Sequence, residues 1–166
     1  MIVLGIDPGI ANTGYGVVSS HGRRLKLIDF GVVRTEPHAS LEQRLTEIHS
    51  DIGQMMSSFE ADSVAVEDLY FGANVVSAMA VGQARGVVLL AAGQRGIPVS
   101  AYTPQQVKAA VCGSGRAAKD QVARMVARLL SLPELPRPDH AADALAVAVC
   151  DLNRRPLASA IAAARG

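Results

Sequence analysis

The sequence is poor in the residues that mark several classes of protein. It has no tryptophan, only three tyrosines and three phenylalanines, and two cysteines. Two cysteines are too few for a disulfide-rich scaffold, and Cys112 and Cys150 lack the spacing of a metal-binding motif. We interpret both as small buried apolar residues in a reducing compartment, with an oxidised pair as the less favoured alternative.

Long apolar runs are also missing. The longest near the middle of the chain, GVVLLAAG, is too short to cross a bilayer, and Met1 leads into an apolar strand without the basic segment of a signal peptide. We therefore expect a cytoplasmic protein with no membrane partner. The length predicts one domain over residues 1–155, followed by a C-terminal tail, residues 156–166, that is expected to fray.

The net charge of +1 does not by itself indicate a nucleic-acid partner, but the charges are unevenly distributed. Residues 36–68 carry eight acidic residues and a single basic one, Arg44. Residues 101–130 carry one acid, Asp120, and five basic residues: Lys108, Arg116, Lys119, Arg124 and Arg128. This pattern predicts either one basic surface suited to a polyanion or two solvated helix faces of opposite sign.

Local patterns predict the element order βββαβαβαα followed by a terminal helix. Residues 2–7 form a buried strand, and two further strands complete an antiparallel meander. Ser40 with Gln43 is a capping-box pair that begins a long helix. Thr103, Pro104 and Gln106 begin another in the same way. A meander followed by alternating helices and strands predicts an α/β fold with a mixed five-stranded sheet.

The helix predicted around residues 75–93 carries small residues on one face. Ala78, Gly82 and Gly86 are spaced four apart. Glycine inside a helix costs about 1 kcal/mol relative to alanine, so a close neighbour is expected to offset it. That neighbour is either a helix of the same chain or a second subunit, and we favour the second subunit.

Polar side chains lie where two predicted strands end and where the last predicted helix begins. Asp7 closes the first strand, Glu67 closes the fourth, and His140 and Asp143 share one face at the start of the last helix. If the two strands are adjacent and parallel, their carboxylates lie side by side, and a divalent cation would relieve the repulsion. Each residue alone also suits a turn or a cap, and Asp139 after Pro138 is interpreted as the helix N-cap.

Several motifs together resemble one family. The segments GIDPG, TGYGVV, AVED, GQARGVVL, QVKAAVCGSGRAAK and ADALAVAV follow one another between residues 2 and 153. In this order and spacing they resemble the RuvC family of Holliday-junction resolvases. The resemblance implies an RNase H-like fold with helices on both faces of the sheet, and a homodimer. It also implies cleavage of four-way DNA junctions with a divalent metal, and a branch-migration motor as partner.

The resemblance also assigns roles to individual residues. The family's metal ligands correspond to Asp7, Glu67, His140 and Asp143, which would hold two metal ions per site. Lys119 corresponds to a family lysine that neutralises charge on the cleaved phosphate. Lys108 has the family spacing of a phosphate contact, and Tyr70 holds the position of the family's aromatic that stacks on unpaired bases, with Phe71 as its substitute. Apart from the resemblance, Arg116 is interpreted as a contact to the DNA backbone.

His140 departs from the family, which commonly has aspartate there. Imidazole is a softer, neutral ligand that suits manganese better than magnesium. We therefore predict that Mn²⁺ supports activity better than Mg²⁺. The alternative is that Asp139 supplies the missing carboxylate.

Three rival functions fit part of the sequence. The segment GIDPGIANTG also resembles the phosphate-binding hairpin of the actin–hexokinase–chaperone ATPases, but those enzymes need two such domains. The related YqgF-type nucleases act on RNA and lack the GQARG and QVK segments. A junction-binding protein without catalysis is the third, if His140 disables the metal site.

Overall fold

The chain folds into one five-stranded sheet with helices on both faces. The computed structural model describes residues 1–22, 24–68 and 75–163, with side chains described for 1–22, 24–68 and 78–154. The elements in chain order are β1 (Ile2–Asp7), β2 (Asn12–His21), β3 (Arg24–Arg34), α1 (Leu41–Ser58), β4 (Ser63–Glu67), α2 (Val75–Gln94), β5 (Val99–Tyr102), α3 (Pro104–Cys112), α4 (Lys119–Leu129) and α5 (Asp139–Ala163). The order is the predicted one.

The sheet is mixed, as predicted. Its strand order is β3-β2-β1-β4-β5, in which the first three strands pair antiparallel and β1, β4 and β5 pair parallel. The register sets Ile6 opposite Val66. Asp7 and Glu67, one residue further along, therefore end neighbouring strands on the same edge of the sheet.

Two apolar cores cover the two faces of the sheet. On one face α1 and α2 bury Leu4, Ile52 and Val88. On the other face α5 lies directly on the sheet, with α3 and α4 packed outside it, around Val3, Val126 and Leu145. The expectation of helices on both faces is confirmed.

Glycines in β1 and β2 allow α5 to lie unusually close to the sheet. A Cβ atom at Gly5 would meet the Ala144 carbonyl, and one at Gly14 would meet the His140 carbonyl. At Gly16 it would lie 2.7 Å from a side-chain carbon of Leu145. These three positions form a floor without side chains beneath the first half of α5.

The start of α5 corrects one expectation. Asp139 was predicted to be the N-cap, but it is the first residue of the helix, and the Pro138 carbonyl accepts the amides of Ala141 and Ala142. Pro138 can stand directly before the first helical residue because its missing N–H is not needed at a helix start. The Asp139 carboxylate is thereby left to pair with a side chain.

The far end of α5 continues past residue 155 as far as Ala163. The division into a domain, 1–155, and a fraying tail, 156–166, stays a prediction. Among residues 1–22, 24–68 and 75–163, no helix combines the length and hydropathy needed to cross a membrane.

Candidate metal-dependent nuclease site

The carboxylate of Asp7 lies at the end of β1, with only 15% of its side chain exposed. Asp7 stands opposite Gly14 in the β1–β2 register. Because Gly14 has no side chain, the first turn of α5 sits over it, and the His140 ring reaches Asp7. The two side chains are joined by a contact of 2.6 Å between His140 Nδ1 and Asp7 Oδ2.

Glu67 and Asp143 add two more carboxylates to the same edge of the sheet. Burial, together with the negative charges of Asp7 and Asp143, raises the pKa of Glu67 to about 7. Burial also raises the pKa of Asp7, with the Asp143 charge acting in the same direction and His140 opposing both. The three acids therefore interact electrostatically, as neighbouring strand ends and a docked helix predict.

Lys119, the first residue of α4, faces these acids. Its ammonium lies 2.9 Å from Asp143 Oδ2 and 3.3 Å from Asp139 Oδ2. Burial alone would lower the pKa of Lys119, but the hydrogen bonds and charges of Asp143 and Asp139 outweigh it and raise the pKa. Lys119 therefore remains a cation beside the carboxylates.

A cavity of about 190 Å³ collects four of the predicted site residues. Glu67 and Asp143 line it together with Lys108 and Lys119. The cavity thus combines two acids with two bases next to the Asp7–His140 pair. This combination can hold a cation on the carboxylates and a phosphate on the lysines.

The donor set fits a divalent metal by its chemistry. Three neighbouring carboxylates that repel one another are stabilised by a cation, and carboxylate oxygen is the preferred ligand of Mg²⁺ and Mn²⁺. Within the described residues, however, no three His, Cys, Asp or Glu side chains are already grouped as a metal shell. The side chains instead form two pairs, Asp7 with His140 and Asp143 with Lys119.

The predicted DNA contacts divide into three groups. Lys108 and Lys119 line the site cavity. Arg116 does not, because it lines a separate groove on another side of α4. Tyr70 and Phe71 lie outside the described residues, so their roles as stacking residues stay predictions.

Two contributions escaped the sequence reasoning. One is the glycine floor, although glycines at alternate positions of β2, in TGYG, could have indicated the close approach of another element. The other is Arg85 of the GQARG segment, whose guanidinium lies 3.4 Å from Asp68 Oδ1. This ion pair connects α2 to the residue that directly follows Glu67.

The fold and the site together define a class of protein, the RNase H-like nucleases, in which acids at strand ends and a helix start meet on one edge of a mixed sheet. Residues 3–151 match the family model described as crossover junction endodeoxyribonuclease RuvC. The chain therefore belongs to the RuvC family and is an endodeoxyribonuclease that acts on crossover junctions. Membership of this family implies dependence on a divalent metal ion.

Individual relatives agree with this assignment. The RuvC protein of Thermomicrobium roseum is 55% identical over 150 residues, which cover 90% of this chain and 91% of the relative. That of Heliobacterium modesticaldum is 51% identical over 150 residues, covering 90% and 93%. A Thermus thermophilus RuvC structure in complex with a Holliday junction substrate has a TM-score of 0.91 at 42% identity, covering 95% and 96%.

Proposed function

We propose that this chain resolves four-way DNA junctions by two symmetric nicks, through metal-dependent hydrolysis that leaves 5′-phosphate ends. The observation that supports this most directly is the convergence of Asp7, Glu67 and Asp143 on one sheet edge beside Lys119. The junction as substrate follows from the family and from the Thermus thermophilus relative solved with a Holliday junction.

In this proposal Asp7, Glu67, His140 and Asp143 hold two divalent ions per site. When bound, the ions activate a water for attack on phosphorus and stabilise the leaving 3′ oxygen. The chain's own contribution is to hold the carboxylates half-buried, so that they are poorly solvated before a cation arrives. His140 fixes one oxygen of Asp7, and Lys119 holds Asp143 until a phosphate competes for the ammonium.

The metal preference depends on His140. An imidazole in place of a carboxylate removes one negative charge and adds a softer donor, which favours Mn²⁺ over Mg²⁺. Asp139 is the alternative ligand, and its carboxylate lies 3.3 Å from Lys119, on the side of α5 that faces α4. His140 contacts Asp7 directly, which makes it the better candidate.

Lys119 and Lys108 are proposed to bind the phosphate that is cleaved. Both line the cavity beside Glu67 and Asp143, where a developing negative charge would be stabilised by a cation. Tyr70 is proposed to stack on an unpaired base at the crossover, with Phe71 as its substitute. Arg116 is proposed to contact the DNA backbone away from the cut.

Two symmetric nicks need two sites related by a two-fold axis, which a homodimer supplies. We propose that α2 forms its interface. Met79 and Leu90 are 63% and 53% exposed on this helix. Apart from its chain neighbours and the backbone of α2 itself, no described residue comes within 4 Å of where a Cβ of Gly86 would lie. A branch-migration motor as a further partner rests on the family resemblance alone.

The dimer is tested by sedimentation of Gly82→Leu and Leu90→Glu. We expect both variants to sediment with the mass of one chain, or to dissociate at a much higher protein concentration than the parent does. Leu129→Glu is the matched control, because Leu129 is an exposed apolar residue of α4. An unchanged dimer in both α2 variants would contradict this interface.

The function is tested by nicking of a synthetic four-way junction, with a linear duplex and an RNA hairpin as control substrates. We expect cleavage of the junction alone, at symmetric positions in two strands, with a higher rate in Mn²⁺ than in Mg²⁺. Junction binding without any nicking in either metal would instead support a non-catalytic binding protein.

A further inference from the structure

The four residues that follow Asp7, 8–11, form the loop between β1 and β2, which we call the Asp7 loop. Its first half is held from β2. The fully buried Thr13 donates its hydroxyl proton to the Gly9 carbonyl at 2.6 Å and accepts the Gly9 amide at 3.4 Å. A Cβ atom at Gly9 would lie 2.5 Å from the Asn12 carbonyl oxygen, so the turn is tight. This half of the loop is therefore fixed within the hairpin itself.

The second half of the Asp7 loop is held from outside the hairpin by Thr35, which directly follows β3. The Thr35 hydroxyl donates to the Ile10 carbonyl at 2.6 Å, and the Thr35 amide donates to the Ala11 carbonyl at 3.3 Å. Only 6% of Thr35 is exposed, so these bonds are shielded from water. A hydroxyl has one proton, and because Thr35 gives it to Ile10, its oxygen is left to accept from another group.

That other group is Arg44 of α1, whose Nε donates to the Thr35 hydroxyl oxygen at 2.8 Å. Arg44 is the single basic residue among eight acids between residues 36 and 68. It nevertheless forms no ion pair with any described residue. A charged donor makes a stronger hydrogen bond than a neutral one, and here it leaves the Thr35 proton directed at the Asp7 loop.

We propose that Arg44 is a positioning residue for the metal site, which acts through Thr35 on the loop that sets the direction of Asp7. The inference rests on the proposed function and extends it to residues that touch neither metal nor DNA. The Asp7 loop begins at the residue after the carboxylate, so a shift of its backbone turns Asp7 relative to Glu67. Metal ligands must be held within a few tenths of an ångström, and partners behind the ligands are what hold them.

The competing role is purely structural, in which the same bonds only tie the start of α1 to the sheet. The far end of α1 offers a comparison of the same kind. Arg95 Nε lies 3.4 Å from the Ser57 hydroxyl, which donates to the Gly53 carbonyl at 3.2 Å. Those contacts are longer, and α1 ends towards the start of β4, at the edge of the sheet away from Asp7. Ser57→Ala is therefore the matched control.

The first test measures Mn²⁺ affinity without DNA, from the EPR signal of the free ion during titration. Thr35→Val removes the hydroxyl at nearly constant volume and should weaken Mn²⁺ binding about ten-fold, as should Arg44→Gln. Thr35→Ser keeps the hydroxyl and should bind within about two-fold of the parent, and Ser57→Ala should bind as the parent does. Parent-like affinity in Arg44→Gln, or an equal loss in Thr35→Ser and Thr35→Val, overturns the proposal.

Folding of the variants is checked by thermal denaturation in EDTA. Arg44 is only partly buried, so Arg44→Gln should melt close to the parent. If Thr35→Val does not fold, Arg44→Gln and Thr35→Ser decide the question without it. A melting temperature that falls in Arg44→Gln while its Mn²⁺ affinity stays that of the parent assigns Arg44 the purely structural role.

The second test separates the metal from the DNA. In EDTA, Arg44→Gln should bind a synthetic junction within about two-fold of the parent, because Arg44 acts on the metal ligand. The Mn²⁺ concentration that gives half the maximal nicking rate should rise about ten-fold. Weaker junction binding in EDTA with an unchanged Mn²⁺ requirement would make Arg44 a DNA contact and contradict the proposal.

The two proposals fail in different ways. If the parent protein neither binds Mn²⁺ nor nicks the junction, the proposed function is wrong. If the parent does both while Arg44→Gln binds the metal equally well, only the role of Arg44 is wrong.

Discussion

Helix α5 carries one carboxylate near each end of its buried segment, Asp143 and Asp151, and the surroundings of the two differ. Asp151 is fully buried, and its oxygens accept hydrogen bonds from Ser63 at 3.1 Å and Tyr102 at 2.7 Å. Asp143, two turns earlier, shares its surroundings with Glu67 and Asp7, and its charge adds to the burial that raises the pKa of both. Asp151 is satisfied by neutral donors, whereas Asp143 depends on the Lys119 ammonium to offset the like charges of Glu67 and Asp7.

This difference indicates a structural role for Asp151 and a functional role for the acids around Asp143. A buried charge with hydrogen-bond donors holds neighbouring elements together, and here Asp151 connects α5 to β4 and β5. Burial and the Asp151 hydrogen bond also raise the pKa of Tyr102 to about 12, so the phenol stays a donor. Crowded acids instead reduce stability, which natural proteins accept at sites that do chemistry.

The largest expected effect comes from removing one crowded acid. Asp7→Asn should reduce junction cleavage at least about 1000-fold, equivalent to about 4 kcal/mol, because it removes a proposed metal ligand. The melting temperature in EDTA should stay equal or rise. Single-turnover nicking and thermal denaturation measure the two effects. Glu134→Gln, at an exposed position outside the site, is the control, and comparable loss there would contradict the assignment.

Removing the satisfied acid should have the opposite profile. Asp151→Ala leaves the Ser63 and Tyr102 hydroxyls without their acceptor in the core and should cost about 3 kcal/mol of stability. For a chain of this length that is a fall of roughly 6–12 °C in melting temperature. Nicking per folded molecule well below the transition should change little. If Asp151→Ala lost activity while keeping its melting temperature, the structural role given to Asp151 would be wrong.

Glu67 gives a pH test of its burial among like charges. Its pKa is near 7 in the folded protein and near its ordinary 4.5 in the unfolded chain, so folding binds a proton between these values. Stability is therefore unaffected below about pH 4.5, falls as the pH rises to 7, and stays reduced above 7. In EDTA at pH 8, Glu67→Gln should be more stable than the parent by about 1–2 kcal/mol. The difference should vanish near pH 4.5, and a constant difference at all pH values would contradict a pKa of Glu67 raised by burial and by like charges.

The smallest effect concerns metal preference. His140→Asp should increase the ratio of Mg²⁺ to Mn²⁺ activity several-fold, because it restores an oxygen ligand. Asp139→Asn should leave this ratio unchanged if His140 is the ligand. Initial rates over a range of each metal concentration measure the ratios. A change in Asp139→Asn alone would assign the ligand to Asp139.

The sequence predicted local structure well where side chains contact their own backbone. The Ser40 amide donates to Gln43 at 3.0 Å, and the Thr103 amide donates to Gln106 at 2.9 Å, as the capping patterns indicated. Asp139 was the exception. It was predicted to be the N-cap, but the helix begins one residue earlier than that prediction requires, because the Pro138 carbonyl accepts the first hydrogen bonds of the helix. Arg116 shows the same limit for charge, since a basic run in sequence is divided by α4 between two cavities.

The sequence by itself determined the order of the elements and the acids that end two strands and begin α5. Only the tertiary structure decided that β1 pairs parallel with β4, which sets Asp7 beside Glu67. It alone brought His140 over Gly14 to Asp7, 133 residues away in the chain. The reason is physical: capping and periodicity arise between residues a few positions apart, whereas strand pairing and helix docking depend on surfaces that exist only when the whole core is packed.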